Sequence, residues 1–210
     1  MSTLLYIESS PRKERSASID VAHTFLDCYR AAHPEDIIDP LDVWSTSLPD
    51  FNGAVLEAKY AGIAGALLST EQTTAWSTIR ALADRFIRAD KYLISVPMWN
   101  YTIPYKLKQL IDCVSQKDLL FTFDANGLNG LLTQRKAVVI YARGIEYSAA
   151  SGMPAETWDL QRQYLELWLR FVGVSDISTV LIEKTLLGPD ADSAARVVAK
   201  EAAMALANRF

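Results

Sequence analysis

Residues 91–114 read Lys91-Tyr92-Leu93-Ile94-Ser95-Val96, then Pro97-Met98-Trp99-Asn100-Tyr101-Thr102-Ile103-Pro104, then YKLKQLIDCV over 105–114. The first piece is a short apolar run rich in β-formers, the signature of a buried strand. The last places Leu107, Leu110, Ile111 and Val114 at helical spacing behind Pro104, a residue suited to a helix's first turn. Between them lies an uncharged, aromatic loop bounded by two prolines. Strand, loop and helix in that order are the repeating unit of a parallel α/β sheet, and the same alternation runs from end to end.

Working outward, strands are expected at Leu4–Glu8, Asp36–Leu41, Lys91–Val96, Ala137–Ala142 and Ile177–Ile182. Helical stripes fall between them. Trp76, Ile79, Ala83 and Phe86 lie behind Ser69 and Gln72, which fit a capping box. Tyr164, Leu165, Trp168, Phe171 and Val172 form another stripe, and Pro189 opens a last helix from Asp190 to about Asn208. These stripes are read first as core. Residues 43–69 are less regular, with a short helix expected near Ala54–Leu67, and Leu119–Leu132 suggests a projecting hairpin turning at Asn126-Gly127. No internal repeat or linker interrupts the chain, so residues 1–210 are expected to form a single domain.

Composition narrows the function. Of 210 residues half are hydrophobic and 22% charged, which suits a globular chain with a sizeable core. The formal net charge of -4 argues against a duplex nucleic-acid binder, and no apolar stretch approaches the ~20 residues of a membrane span. The apolar run Leu4–Ile7 is too short for a signal peptide, so a cytoplasmic protein is expected. Cys28 and Cys113 form no C-x-x-C pair, and His23 and His33 lack any metal-ligand spacing, so neither thiol redox chemistry nor a metal centre is expected. A low-molecular-weight phosphatase needs Cys followed six positions later by Arg. Here Pro34 and Leu119 occupy those places.

In an open parallel sheet, ligands bind beyond the carboxyl ends of the strands, and three loops leave such ends with unusual composition. The first, Ser9 to Ser18, lacks G-x-G-x-x-G and any Walker pattern. It offers Ser10, Ser16 and Ser18 around the amino end of a helix, a setting that attracts a monophosphate, although Ser16 could serve only as the helix cap. The second, Pro97–Pro104, suits a flat conjugated ring or, alternatively, a well-packed turn. The third, Arg143–Ser148, contains Gly144, where a backbone can approach a ligand closely.

Together these loops resemble those of the FMN-dependent NADH-azoreductases, also called NAD(P)H:quinone reductases, of the flavodoxin-like superfamily. The strongest segment is PMWNYTIPYKLKQLID, Pro97 to Asp112. It is supported by Ser10-Pro11, by Ser16 to Ser18, by Leu41-Asp42-Val43-Trp44 and Leu48-Pro49-Asp50-Phe51, by residues 164–173 and by Gly188-Pro189. The resemblance spans essentially the whole chain and implies a flavodoxin-like fold, a five-stranded parallel sheet with helices on both faces.

It further implies that Ser10, Ser16, Ala17 and Ser18 hold the FMN phosphate, and that Pro97, Met98, Trp99, Asn100 and Tyr101 line the isoalloxazine. Ala142, Arg143, Gly144 and Ile145 would close over the ring's pyrimidine side. Many members carry a hydroxyl at the position of Ala142 and a second glycine at that of Ile145. The implied activity is two-electron transfer from NADH or NADPH through one FMN per subunit to a quinone or azo acceptor, in two half-reactions and without a catalytic side chain. The family works as a homodimer, and Phe123 and Trp168 match positions placed over the flavin or its substrate, with core packing the alternative for Trp168. The rival readings are a flavodoxin-like electron carrier and an FMN-free binding module on the same fold.

Overall fold

The computed structural model describes residues 1–63, 67, 69–125 and 127–210. Strands β1 (Thr3–Glu8), β2 (Ile37–Asp42), β3 (Lys91–Pro97), β6 (Lys136–Ala142) and β7 (Asp176–Ile182) form a parallel sheet in the order β2-β1-β3-β6-β7. Each expected strand is present, its ends moved by about one residue. Strands β4 (Phe121–Asp124) and β5 (Gly127–Gly130) pair antiparallel as the expected hairpin. Asn126, half of its expected turn, lies outside the described residues.

Period-two alternation divides the core. Leu5, Ile7, Tyr92, Ile94, Val139 and Tyr141 face one side of the sheet, while Leu4, Tyr6, Leu93, Val138 and Ile140 face the other. Against the first side pack Leu82, Ala83 and Phe86 of α3 (Thr70–Arg88), Leu107, Leu110, Ile111 and Val114 of α4 (Tyr105–Val114), and Leu165, Trp168 and Leu169 of α6 (Leu160–Phe171). Against the second pack Val21, Ala22, Phe25, Leu26 and Tyr29 of α1 (Ala17–Ala32) with Ala199, Ala203 and Leu206 of α7 (Pro189–Ala207). The helices therefore cover both faces, and each fully buried Leu, Ile or Phe contributes about 1.5–3 kcal/mol.

The helix starts follow the expected chemistry. Ser69 and Gln72 cap α3 reciprocally, at 3.2 and 2.9 Å. Pro189 is the first residue of α7, behind Gly188 at φ 105°. Helix α2 (Gly53–Ile63) begins one residue early, and its expected continuation through 64–66 lies outside the described residues. The short α5 (Ala155–Trp158) runs directly into α6.

Strand β1 has β2 on one side and β3 on the other, so strand order reverses there. At such a switch point the loops beyond the strand ends diverge to opposite faces and leave a crevice. The loops that follow β1 and β3 meet at this place.

Candidate active site

Beyond β1, Ser9 is tied to the end of β3: its amide donates to the Ser95 carbonyl at 3.2 Å and its hydroxyl to the same oxygen at 2.6 Å. The chain then makes a short turn over Lys13–Arg15, with Lys13 at φ 49°, and enters α1. Ser16 is the N-cap, its Oγ accepting from the Ile19 amide at a long 3.5 Å and lying 3.2 Å from Ser18 Oγ. Ser10, Ser16 and Ser18 are all nearly inaccessible, at 1%, 3% and 0% exposure. The Ser16 and Ser18 hydroxyls meet at a helix N-terminus whose first amides have no partner further along the helix, while Ser10 Oγ, in the turn before it, accepts from the Arg12 amide at 3.3 Å; the helix start is a donor set suited to an anion.

The cations of this turn divide. The Lys13 ammonium donates to Glu8 at 2.6 Å and Asp42 at 2.5 Å. Partial desolvation works against its charge, but these two bonds outweigh it and hold the group above the usual lysine range. Lys13 is thus engaged by carboxylates at the ends of β1 and β2, while Arg12 and Arg15 remain exposed.

Beyond β3, the Met98 amide donates to the Ala142 carbonyl at 2.8 Å. Trp99 and Thr102 exchange backbone hydrogen bonds at 2.8 and 3.0 Å across Asn100 and Tyr101, which sit at φ 46° and 70°. Left-handed backbone suits Asn but costs Tyr, and such strain persists where the surroundings over-determine it, commonly at functional sites. Here an aromatic cluster does so. Trp44 lies 5.8 Å from Trp99 and 5.3 Å from Tyr105, and its indole donates to the Ser9 carbonyl at 3.0 Å. The Tyr101 ring packs on Trp158 at 5.4 Å. Trp99 and Asn100 also line an apolar cavity of about 550 Å³ with Phe51, Tyr105 and Tyr164.

The third loop is built differently. Ala142 and Arg143 are buried and Gly144 and Ile145 half-buried. The Arg143 guanidinium pairs with Asp159 and, at 3.2 Å, with Glu183, and it lies over the rings of Tyr141 and Tyr147. Burial holds the Tyr141 phenol protonated, far above its ordinary range. A Cβ on Gly144 would stand 2.5 Å from Leu186 Cδ1, so the close approach made at this glycine is that of Leu186.

The candidate ring and phosphate residues are thereby brought to one end of the sheet. Phe123 and Trp168 are not alike. Phe123 is 61% exposed on β4, whereas Trp168 is 6% exposed, packs edge-on against Phe86 at 6.0 Å and donates its indole N–H to Ser115 Oγ at 2.9 Å. Trp168 lies in the core cluster on the α6 side of the sheet, as its helical stripe predicts. Trp44, Asp159, Gln161 and Glu183 join the site without having been singled out. For Trp44 a signal existed in the Leu41-Asp42-Val43-Trp44 piece of the family resemblance. The polar residues meet partners far away in sequence and carried none. A larger cavity of about 660 Å³ lies apart from the three loops, between Ala58 of α2, Trp76 and Arg80 of α3, and Gln116.

Among the described residues, no helix is long and apolar enough to cross a membrane, and no cluster of His, Cys, Asp and Glu is suited to a metal ion.

A family model described as flavodoxin-like fold matches residues 2–206. FMN-dependent NADH:quinone oxidoreductase 9 of Burkholderia lata is 55% identical over 189 residues, 90% of each chain. Azoreductase from Bacillus anthracis superposes with a TM-score of 0.91 over 100% of both chains at 28% identity. An FMN-dependent NADH-azoreductase from the same species, solved in complex with FMN, gives 0.87 over 99% of this chain and 100% of its own at 26% identity. The buried-serine helix start, the strained aromatic turn and the 2-1-3 strand reversal are thus found in a chain that belongs to the FMN-dependent NADH:quinone oxidoreductase and azoreductase family of the flavodoxin-like superfamily.

Proposed function

We propose that this protein is an FMN-dependent oxidoreductase that passes two electrons from NADH or NADPH through bound FMN to quinones and azo compounds. The observation that carries this reading is the meeting, at the strand-order reversal, of a hydroxyl-lined helix N-terminus with an uncharged aromatic turn. The donor set fits the cofactor: three buried hydroxyls and the first amides of α1 suit a phosphate, and the Trp99–Tyr101 turn suits a flat ring. FMN held by these residues would supply the redox chemistry, a two-electron relay between the nicotinamide and the acceptor.

The chain's own residues bind and orient. Ser10, Ser16, Ala17 and Ser18 hold the phosphate. Pro97, Met98, Trp99, Asn100 and Tyr101 hold the ring, and Ala142, Arg143, Gly144 and Ile145 close on its polar edge. No side chain is needed as nucleophile, in keeping with the scarcity of histidine. Residues 1–210 act as one FMN-binding domain in the cytoplasm, and two copies form the working unit. The exposed Phe123 is the residue of this chain suited to stack a flat acceptor beside a second copy.

Steady-state oxidation of NADH and NADPH by the FMN-loaded protein, with several quinones and one azo dye as acceptors, tests the proposal. Turnover with a quinone is expected. An FMN-loaded protein that oxidises neither nucleotide, and is reduced only by a partner protein, would instead be an electron carrier. One that takes up no FMN would be a binding module.

A further inference from the structure

We infer that Asp159 and Gln161, at the start of α6, are positioning residues that fix the spacing of the two ring-side loops; the inference rests on the FMN reading above. Those loops leave β3 and β6, adjacent strands whose last residues, Pro97 and Ala142, are in register. The beginning of α6 lies across both ends. Gln161, fully buried, donates through Nε2 to the Val96 carbonyl at 3.1 Å, near the end of β3 and three residues before Trp99.

Asp159 serves the other loop. Its Oδ1 accepts from the Arg162 amide at 3.0 Å and so caps α6, while Oδ2 accepts from the Arg143 guanidinium. The two side chains are 1% and 4% exposed, and among the described residues no other ion pair has both partners below 10%. Glu183, beyond β7, takes the second arm of Arg143 and also accepts from the Tyr147 amide at 3.2 Å.

A purely structural role does not account for this arrangement. Among the described residues Gln161 Oε1 and Arg143 Nε are buried without a hydrogen-bond partner, and an apolar residue of similar volume would avoid that penalty. What the polar residues provide is direction. One helix start holds the backbone ahead of the aromatic turn by a hydrogen bond, and the arginine of the third loop by a charge. The group also carries net negative charge, two carboxylates against one guanidinium, which would disfavour the negative charge that reduction adds to a flavin held by these loops.

The test uses the full chain with Asp159→Asn, which keeps a helix-capping side chain but removes the charge, and with Gln161→Met, which keeps volume. FMN affinity is read by quenching of FMN fluorescence, the midpoint potential of bound FMN by spectroelectrochemistry, and apoprotein stability by thermal melting. Asp159→Asn is expected to weaken FMN at least about tenfold, the change carried by one charged hydrogen bond, and to move the potential upward. Gln161→Met is expected to weaken FMN about threefold, without lowering the melting temperature and without moving the potential. Wild-type affinity and potential in Asp159→Asn overturn the inference, even if that variant melts earlier. If Asp159→Asn does not fold, wild-type affinity in Gln161→Met overturns it. A wild-type protein that takes up no FMN removes the functional reading and this inference with it.

Discussion

Ser18→Ala separates phosphate binding from helix capping more cleanly than any other single change. Ser18 is fully buried in the first turn of α1, and among the described residues its hydroxyl contact is Ser16 Oγ at 3.2 Å. Removing that contact costs the apoprotein about 0.5–1.5 kcal/mol, and the better helix propensity of Ala returns about 0.5 kcal/mol. Apoprotein stability should therefore change by less than about 1 kcal/mol. A donor to a charged phosphate is worth about 1.5–3 kcal/mol, which at 1.4 kcal/mol per decade raises the FMN dissociation constant roughly 10- to 150-fold. Ser16→Ala loses a donor and also the cap, but the 3.5 Å bond to Ile19 puts the capping loss near the lower end of about 0.5–2 kcal/mol. Because the two hydroxyls touch, the double variant should fall short of the summed effects, at about 100-fold or more. Titration of apoprotein into FMN, followed by fluorescence quenching, measures the affinities, and thermal melting without FMN measures the rest. Unchanged affinity in Ser18→Ala and in the double variant would refute the phosphate assignment.

Trp168→Phe removes the hydrogen bond to Ser115 from a core position and should destabilise by about 1–2 kcal/mol in urea unfolding while leaving FMN affinity and the KM for quinone unchanged; a raised KM at wild-type stability would return Trp168 to the substrate. Gly130→Ala would put a Cβ 2.2 Å from the Gly173 amide nitrogen, a backbone atom that cannot swing aside, so a loss of about 1–3 kcal/mol or more is expected. A wild-type urea midpoint would contradict the close docking of the hairpin base. Asp36 accepts from Tyr29 Oη at 2.6 Å, from the Ser2 amide at 2.6 Å and from Lys91 at 3.2 Å. The Tyr29 hydroxyl foremost, then the Ser2 amide and Lys91, hold its carboxyl below the ordinary range against the opposing effect of burial. A depressed pKa in the folded state stabilises fully above the unfolded value of about 3.9 and is lost as pH falls through the folded value. Asp36→Asn should thus cost about 1.5–3 kcal/mol at pH 7, a gap that narrows below about pH 4; a gap of constant size down to pH 2 would contradict the assignment.

The central strands were legible because they are buried nearly throughout and read as mostly apolar runs, Tyr92–Val96 and Ala137–Ala142, while the half-exposed edge strands at Ile37–Asp42 and Asp176–Ile182 were found by their place in the alternation. The capping box at Ser69 and the proline at the start of α7 are local chemistry and were equally readable. The Trp99–Tyr101 turn announced itself by composition, but not its two left-handed residues, since Tyr101 packs there on Trp158, 57 positions away. The Arg143–Asp159 pair and the Gln161–Val96 bond join residues 16 and 65 apart, and such contacts exist only once α6 has docked across the strand ends. Trp168 shows the converse. Its helical spacing predicts core, its likeness to family positions predicts the substrate face, and the structure seats it beside Phe86.

The central claim, that this chain carries electrons from a nicotinamide to an acceptor through FMN, is tested most directly by anaerobic titration of the FMN-loaded protein. One equivalent of NADH or NADPH per FMN should bleach the flavin absorbance, and one equivalent of a quinone, added after the oxidised nucleotide is removed, should restore it. Colour that persists in excess of both nucleotides, or that bleaches and is not restored by any quinone, would contradict the account.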